Sequence, residues 1–162
     1  AAVARRLIAR QGLDVVLVGG SDARDAAAEI AAAAPGTHDL TGSTTLAETT
    51  AVLQRAALVI GADSGIAHLA AAVETPVIAI FGPSKAAAWA PFGAVEYQVG
   101  AASFPDARTV VVRTGIPCSP CFYTGYILGR PQGCATRTCL TDITPTTILA
   151  LAGHLLARAR TA

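Results

Sequence analysis

Ala62-Asp63-Ser64-Gly65-Ile66-Ala67-His68-Leu69-Ala70-Ala71-Ala72 is the stretch that decides the fold, and Thr75-Pro76-Val77-Ile78-Ala79-Ile80-Phe81-Gly82-Pro83-Ser84 follows it closely. Together with the apolar run before it, this stretch predicts a strand, a polar turn, a helix, a strand and a second polar turn. The first turn places a carboxylate, a hydroxyl, a glycine and a helix start at one edge of a sheet, where α/β proteins hold phosphate-bearing ligands. His68 lies about one turn into that helix, so it and Asp63 can face the same ligand.

The composition indicates one folded domain with a sizeable core. The chain has 162 residues, of which 52% are hydrophobic and 14% charged, so a disordered chain is excluded. A formal net charge of +1 gives no basic footprint for nucleic acid. No apolar run reaches membrane-spanning length. The sequence opens inside a helical pattern and contains no methionine, so we expect a piece of a longer protein.

Strands alternate with helical segments along the chain, which predicts an α/β fold with a parallel sheet and helices on both faces. The predicted strands are 15–18, 38–40, 58–61, 77–81, 95–99 and 109–113. Three predicted helices end near residues 11, 34 and 56, and two more span 64–73 and 145–159. A cysteine-containing loop spans 115–140. The expected N-caps are Ser21 or Asp22, Thr44 or Thr45, and Thr144. In the third helix, we expect Leu46, Thr49 and Leu53 on the inner side.

The turn Gly19-Gly20-Ser21-Asp22 follows the first predicted strand. Glycines at this position let backbone N–H groups approach a ligand closely, and the Asp22 carboxylate could accept hydrogen bonds from ribose hydroxyls. The alternative, which a lone glycine pair favours, is a tight turn into a helix with no ligand.

The turn Asp63-Ser64-Gly65 and His68 form the second candidate site. The N–H groups at the helix start favour an anionic diphosphate, and the His68 imidazole can donate to a phosphate oxygen. Asp63 is then an orienting acceptor or the N-cap. The alternative is a capped helix with a hydrogen-bonded histidine in the core.

The turn Phe81-Gly82-Pro83-Ser84 is the third at the same predicted edge. Alone it is typical of a proline-stiffened turn without a ligand. Three polar turns after three parallel strands nevertheless indicate one crevice.

These motifs resemble the bacterial glycosyltransferase family nine, which contains the ADP-heptose:lipopolysaccharide heptosyltransferases. The matching residues are 16–22, 40–42, 45–48, 62–72, 81–84, 89–93, 118–122 and 139–140. The resemblance covers nearly the whole chain. It implies a GT-B enzyme with two Rossmann-like domains, of which residues 1–162 are the single C-terminal, donor-binding domain. The family's first strand, its lysine-bearing phosphate loop and its N-terminal acceptor domain have no counterpart here, and Lys85 lies in the wrong place to replace that lysine.

The resemblance also implies the roles of the site residues. Asp63, Ser64, Gly65 and His68 would surround the sugar and diphosphate of the donor. Asp22 would contact the nucleoside, Thr44 would lie against the adenine, and Gly19, Gly20 and Ser21 would line the same pocket.

The activity that the resemblance implies is inverting transfer of heptose from ADP-heptose to the lipopolysaccharide inner core. No catalytic residue is expected in this chain, because the general base belongs to the acceptor domain, so the chain alone should not turn over. The resemblance implies that catalysis requires no cofactor. The resemblance implies a cytoplasmic enzyme with peripheral contact to the inner membrane. The alternatives are a different nucleotide sugar, a non-catalytic nucleotide-sugar-binding module, and a Rossmann-like domain that retains no ligand.

Four cysteines lie close together in the sequence, at Cys118, Cys121, Cys134 and Cys139. A C-x-x-C pair followed by a second pair is compatible with a structural zinc site. Reduced or partly paired thiols are the alternative, because a cytosolic enzyme does not favour disulfides.

Overall fold

The computed structural model describes residues 1–121 and 134–159. The chain packs as two compact units, Ala1–Val52 and Leu53–Ala162. Both contain parallel strands together with helices, so the predicted α/β class is confirmed. No helix within the described ranges is long and apolar enough to cross a membrane.

The first unit is built around one pair of parallel strands. Its elements are α1 (Ala2–Gln11), β1 (Val15–Leu17), a 3₁₀ turn (Ser21–Ala23), α2 (Arg24–Ala33), β2 (Thr37–Asp39) and the beginning of α3 (Leu46–Arg55). Val15 of β1 lies opposite Thr37 of β2. Helix α1 ends near residue 11 as predicted, and Gly12 follows it in the left-handed conformation at φ 61°, which glycine adopts without a side-chain clash.

Two details of the helix starts differ from the predictions. Neither Ser21 nor Asp22 caps α2, because both belong to the 3₁₀ turn, and Ala23 precedes the helix without a side-chain cap. Leu46 is 68% exposed, so its predicted inner position is wrong. It is the first residue of α3 and lies one turn before the buried stripe formed by Thr49 and Leu53.

Thr45 is the cap of α3. Its hydroxyl accepts the Glu48 N–H at 3.3 Å, while the Glu48 carboxylate accepts both the Thr45 N–H and its hydroxyl at 2.8 Å. This reciprocal pattern is a capping box, which satisfies N–H groups that have no acceptor within the helix.

The second unit is built around a four-stranded, all-parallel sheet in the order β3-β4-β6-β5. Its elements are β3 (Val59–Ala62), α4 (Gly65–Ala72), β4 (Val77–Ile80), α5 (Ala86–Trp89), β5 (Val95–Gln98), β6 (Thr109–Arg113), α6 (Thr138–Thr141) and α7 (Pro145–Ala159). Ala62 lies opposite Ile80, and Ile80 lies opposite Val112, so the carboxyl ends of β3, β4 and β6 meet at one edge.

The two middle strands of this sheet form the core. Val77, Ile78 and Ala79 of β4 are completely buried, as are Val110, Val111 and Val112 of β6. Helix α7 contributes Leu151 and Ala152, which are also completely buried. The predicted bounds of β6 and α7 are confirmed, and Thr144 caps α7 by accepting the Thr147 N–H at 3.2 Å.

Candidate functional site

The carboxyl ends of β3 and β4 carry two polar turns side by side. Asp63 follows β3 directly, and its N–H donates to the carbonyl oxygen of Ile80 at 3.2 Å. The turn Phe81–Ser84 follows β4, so both turns lie at the same edge, as the sequence predicts. Together they line a concavity of about 330 Å³. Its lining residues are Ala62, Asp63, Ile80, Gly82, Pro83, Ser84, Trp89 and Leu140.

The start of α4 presents unused hydrogen-bond donors. Ser64 precedes the helix in an extended conformation, and its hydroxyl makes no capping bond. The first local bond at the helix start is the one that Ala67 N–H makes to the Ser64 carbonyl at 3.1 Å, so the N–H groups of Gly65 and Ile66 have no acceptor within the helix. A helix start with free N–H groups attracts anions.

Asp63 is not the N-cap, because Ser64 occupies that position. Within the described ranges, neither the Asp63 carboxylate nor the Ser64 hydroxyl has a protein hydrogen-bond partner. Both groups are therefore available to a ligand.

His68 is exposed on α4, whereas the buried positions of that helix are Ala67 and Ala70. The alternative interpretation of His68 as a core histidine is therefore wrong. The structure brings Asp63 together with Ser84 in the concavity. Ser64 is the N-cap of α4, and Gly65 and His68 lie in its first turn. None of these three residues lines the concavity.

The other predicted binding residues belong to the first unit. The Gly19 carbonyl oxygen accepts a hydrogen bond of 2.9 Å from the Gly42 N–H, and this bond joins the turns that follow β1 and β2. A Cβ atom on Gly20 would lie 2.5 Å from Asp22 Oδ1, so a side chain at residue 20 would displace the exposed Asp22 carboxylate from its present position. Ser21 and Asp22 are exposed.

Thr44 is engaged locally, because its hydroxyl oxygen lies 2.8 Å from that of Thr49 in a hydrogen bond. The sequence interpretation missed Arg24, whose guanidinium donates to the Gly42 carbonyl at 3.0 Å. The Thr41 N–H donates to Asp39 Oδ1 at 2.8 Å. This hydrogen bond is the main cause that lowers the pKa of Asp39, and the nearby positive charge of Arg24 adds to the effect. The first unit thus carries a cation beside the turn after β2.

The sequence interpretation also missed two residues that line the concavity, Trp89 and Leu140. Trp89 is the only tryptophan of the chain. It lies within the matched stretch 89–93, which is the one signal that could have drawn attention to it. Leu140 belongs to the matched pair 139–140, but its place in this concavity follows only from the tertiary structure, since it is far from the other lining residues in sequence.

The four cysteines carry thiols and form no disulfide. Cys121 and Cys139 are buried, and burial is the main cause that raises the pKa of both thiols. Hydrogen bonds from the Thr136 hydroxyl and the Arg137 N–H lower the pKa of the exposed Cys134 thiol.

In the described ranges no three His, Cys, Asp or Glu side chains are arranged to hold a metal ion. The zinc site therefore has no geometric support in this structure and stays a prediction.

Comparisons with known proteins identify what the chain is similar to. The family model described as glycosyltransferase family 9 (heptosyltransferase) matches residues 1–118. Lipopolysaccharide heptosyltransferase 3 of Escherichia coli is 39% identical over 103 residues, which cover 61% of this chain and 30% of that protein. Lipopolysaccharide heptosyltransferase 2 of Salmonella typhimurium is 34% identical over 90 residues, which cover 52% of this chain and 26% of that protein. The matches thus span less than a third of these relatives' length.

Two solved structures are similar over almost the whole chain. The structure of E. coli ADP-heptose lps heptosyltransferase II covers 98% of this chain and 40% of its own length, with a TM-score of 0.69 and 24% identity. A family 9 glycosyl transferase from Veillonella parvula covers 97% of this chain and 40% of its own length, with a TM-score of 0.70 and 19% identity. At these identities the two structures show the fold alone.

Proposed function

Because this chain belongs to glycosyltransferase family 9, the heptosyltransferases, we propose that it binds the nucleotide-sugar donor of a heptosyl transfer in lipopolysaccharide biosynthesis. The proposed donor is ADP-heptose, and the proposed acceptor is a hydroxyl of the lipopolysaccharide inner core. The chain would contribute the donor side of an enzyme whose remaining length holds the acceptor. Contact with the inner membrane would occur through that longer enzyme.

The observation that carries the proposal is the polar edge formed by β3, β4 and α4. The N–H groups of Gly65 and Ile66, the Ser64 hydroxyl and the Asp63 carboxylate follow one another in the chain, and none of them has a hydrogen-bond partner in the part of the chain that the structure describes. The helix dipole adds a partial positive charge at this end of α4, which stabilises an anionic diphosphate. We assign the diphosphate to the N–H groups and the exposed His68 imidazole, and the donor sugar to the side of Asp63.

The proposed reaction is a direct displacement with inversion. The acceptor oxygen forms a bond to the anomeric carbon as the bond from that carbon to the diphosphate oxygen breaks, and the bonding electron pair leaves with ADP. A carboxylate outside this chain would accept the hydroxyl proton. The N–H groups of α4 and His68 would stabilise the charge that develops on the departing ADP. The chain alone therefore should not transfer heptose.

For Gly19, Gly20, Asp22 and Thr44 we propose contacts with a nucleoside, as the family resemblance implies. Asp22 offers an exposed carboxylate to the ribose hydroxyls, and the glycine turn at Gly19 and Gly20 leaves its backbone open to close approach. Thr44 would lie against the adenine through its methyl group and backbone, because its hydroxyl already bonds to Thr49.

Titration calorimetry of this chain with ADP-heptose tests the proposal, with UDP-N-acetylglucosamine as the comparison ligand. Selective binding of ADP-heptose is the expected result. Preference for the uridine ligand would instead indicate a different donor within the same family. Binding of neither ligand would refute the assignment of the donor site to these residues.

A further inference from the structure

Trp89 lines the same concavity as Asp63 and Ser84. Among the residues that the structure describes, its side chain is one of six large apolar groups that remain accessible, at 50% exposure. An exposed tryptophan in a concavity with a carboxylate and a hydroxyl differs from a tryptophan that merely fills the core. Its indole is accessible to a ligand at the edge where the strands end.

The short helix α5 anchors the backbone of Trp89. Ala86 at its start is only 4% exposed, which anchors the helix to the unit. The backbone N–H of Trp89 donates to the Lys85 carbonyl at 3.1 Å, and the backbone N–H of Ala90 donates to the Ala86 carbonyl at 2.8 Å. Pro91 follows and is buried. An aromatic side chain on an anchored backbone loses little conformational freedom when a ligand binds.

A second apolar group in this concavity is Leu140, which lies directly over Gly82. A Cβ atom on Gly82 would come within 2.6 Å of Leu140 Cδ2, so the absence of a side chain at residue 82 makes room for Leu140. Ile80 and Pro83 add further apolar surface to the lining. The concavity thus combines an apolar lining with two oxygen-bearing side chains, Asp63 and Ser84.

That combination matches the chemistry of a pyranose ring, which has apolar C–H faces and a rim of hydroxyls. We propose that Trp89 is a positioning and specificity-determining residue on whose indole face the donor sugar ring stacks, while Asp63 and Ser84 hydrogen-bond its hydroxyls. The inference rests on the proposed function, because the sugar reaches this concavity when its diphosphate lies at the start of α4.

The size and the lining of the concavity suit a single sugar ring. Its volume of about 330 Å³ is at the lower end of the range of roughly 300–1,000 Å³ that small-molecule sites occupy. One ring fits this space better than a complete nucleotide sugar. The carboxylate and hydroxyl beside the indole also suit a ring with several hydroxyls better than a flat base.

The fluorescence of Trp89 reports directly on its surroundings, because the chain contains no other tryptophan. We expect ADP-heptose to change its intensity or emission maximum at saturation, and ADP alone to leave the spectrum nearly unchanged. Equal responses to both ligands would overturn the inference, since they would place the indole against the nucleotide. The absence of a response to saturating ADP-heptose would overturn it as well.

Calorimetry of variants separates stacking from a general loss of structure. We expect Trp89→Ala to weaken binding of ADP-heptose by about tenfold while ADP binding changes little, and Trp89→Phe to retain most of the affinity. Phe92→Ala is the matched control, because Phe92 is 94% exposed and lines a different concavity beside Thr75 and Thr109, at the opposite edge of the sheet. Circular dichroism confirms that each variant folds.

The outcomes also separate this inference from the proposed function. If the wild-type chain binds ADP-heptose and Trp89→Ala binds it equally well, the stacking role is refuted and the donor site stands. If the wild-type chain binds neither ADP nor ADP-heptose, the proposed function fails, and the inference fails with it.

Discussion

The Ser119 hydroxyl donates a buried hydrogen bond of 2.7 Å to the carbonyl oxygen of Gly82, 37 residues earlier in the chain. Gly82 lines the concavity at the sheet edge, and Ser119 lies between the first two cysteines. The Arg113 guanidinium donates to the Ser119 carbonyl at 3.3 Å, which adds a link to the end of β6. The segment around Cys118 and Cys121 is thereby attached to the turn that shapes the candidate site.

We expect Ser119→Ala to lower the free energy of unfolding by about 1–3 kcal/mol, because the buried Gly82 carbonyl then loses its donor. The same change should weaken binding of ADP-heptose, since the turn after β4 is no longer held. Urea denaturation and titration calorimetry measure the two effects. Ser43→Ala is the matched control, because the Ser43 hydroxyl donates to the Leu40 carbonyl at 2.8 Å in an exposed position. Equal losses of stability in the two variants would contradict the buried role of Ser119.

The sequence predicts the alternation of strands and helices well, because helix caps and turn residues lie directly at the ends of the apolar runs. Helix α7 starts at Pro145 directly after the cap Thr144, and β6 begins with four β-branched residues, and both elements have the predicted bounds. The N-cap of α2 could not be predicted in this way. Gly20 leads into a 3₁₀ turn, and a turn of that kind has no distinct pattern of apolar residues.

The candidate site was predictable where it depends on strand ends and unpredictable where it depends on long-range packing. The order of parallel strands brings Asp63 and Ser84 to one edge, which the sequence indicates. Trp89 and Leu140 lie on helices of only four residues, too short for a helical period to appear. Their presence in the same concavity follows from tertiary contacts, such as that of Leu140 over Gly82, that no local pattern encodes.

His68→Ala should weaken binding of ADP more than binding of adenosine, by about tenfold for ADP, since hydrogen bonds to charged groups are the stronger ones. The side chain is exposed and has no partner within the described ranges, so stability should hardly change. Calorimetry with the two ligands makes the comparison. A loss of equal size for ADP and adenosine would argue against a phosphate partner.

Three of the four thiols should react with iodoacetamide in a definite order. Cys134 is exposed, and hydrogen bonds lower the pKa of its thiol, so it should be alkylated before Cys121 and Cys139 at neutral pH. The latter two thiols are buried and have a raised pKa, so they should react only slowly in the folded chain. Peptide mass spectrometry over time gives the order. Faster labelling of Cys139 than of Cys134 would contradict it.

Metal analysis decides the zinc prediction separately. If the four cysteines hold a structural zinc ion, protein purified without chelator contains about one zinc per chain, and all four thiols resist alkylation until a chelator is added. A zinc content near zero, with thiols that titrate freely in denaturant, would end the zinc hypothesis. The control is the same analysis of Cys118→Ser, which should lower the zinc content if Cys118 is a ligand.

The capping box at the start of α3 should make stability depend on pH in the acid range. The hydrogen bond from the Thr45 N–H to the Glu48 carboxylate is the main cause that lowers the pKa of Glu48 in the folded chain, and the hydrogen bond from the Thr45 hydroxyl is the second cause. A lowered folded pKa means that the stabilisation is fully present above the unfolded value of about 4.3 and is lost as the pH falls through the folded pKa. Glu48→Gln should therefore reduce the melting temperature at neutral pH, and its difference from the wild type should shrink below pH of about 4.

Glu29→Gln is the control for this measurement, because it removes the same charge from an exposed carboxylate on α2 that has no partner in the described ranges. Asp39 also has a lowered pKa, but it is present in every protein compared, so its contribution cancels from the differences. A Glu48→Gln difference that stays constant from neutral to acid pH would show that the Glu48 carboxylate does not stabilise α3 through its charge. In that case the Thr45 hydroxyl alone would provide the cap.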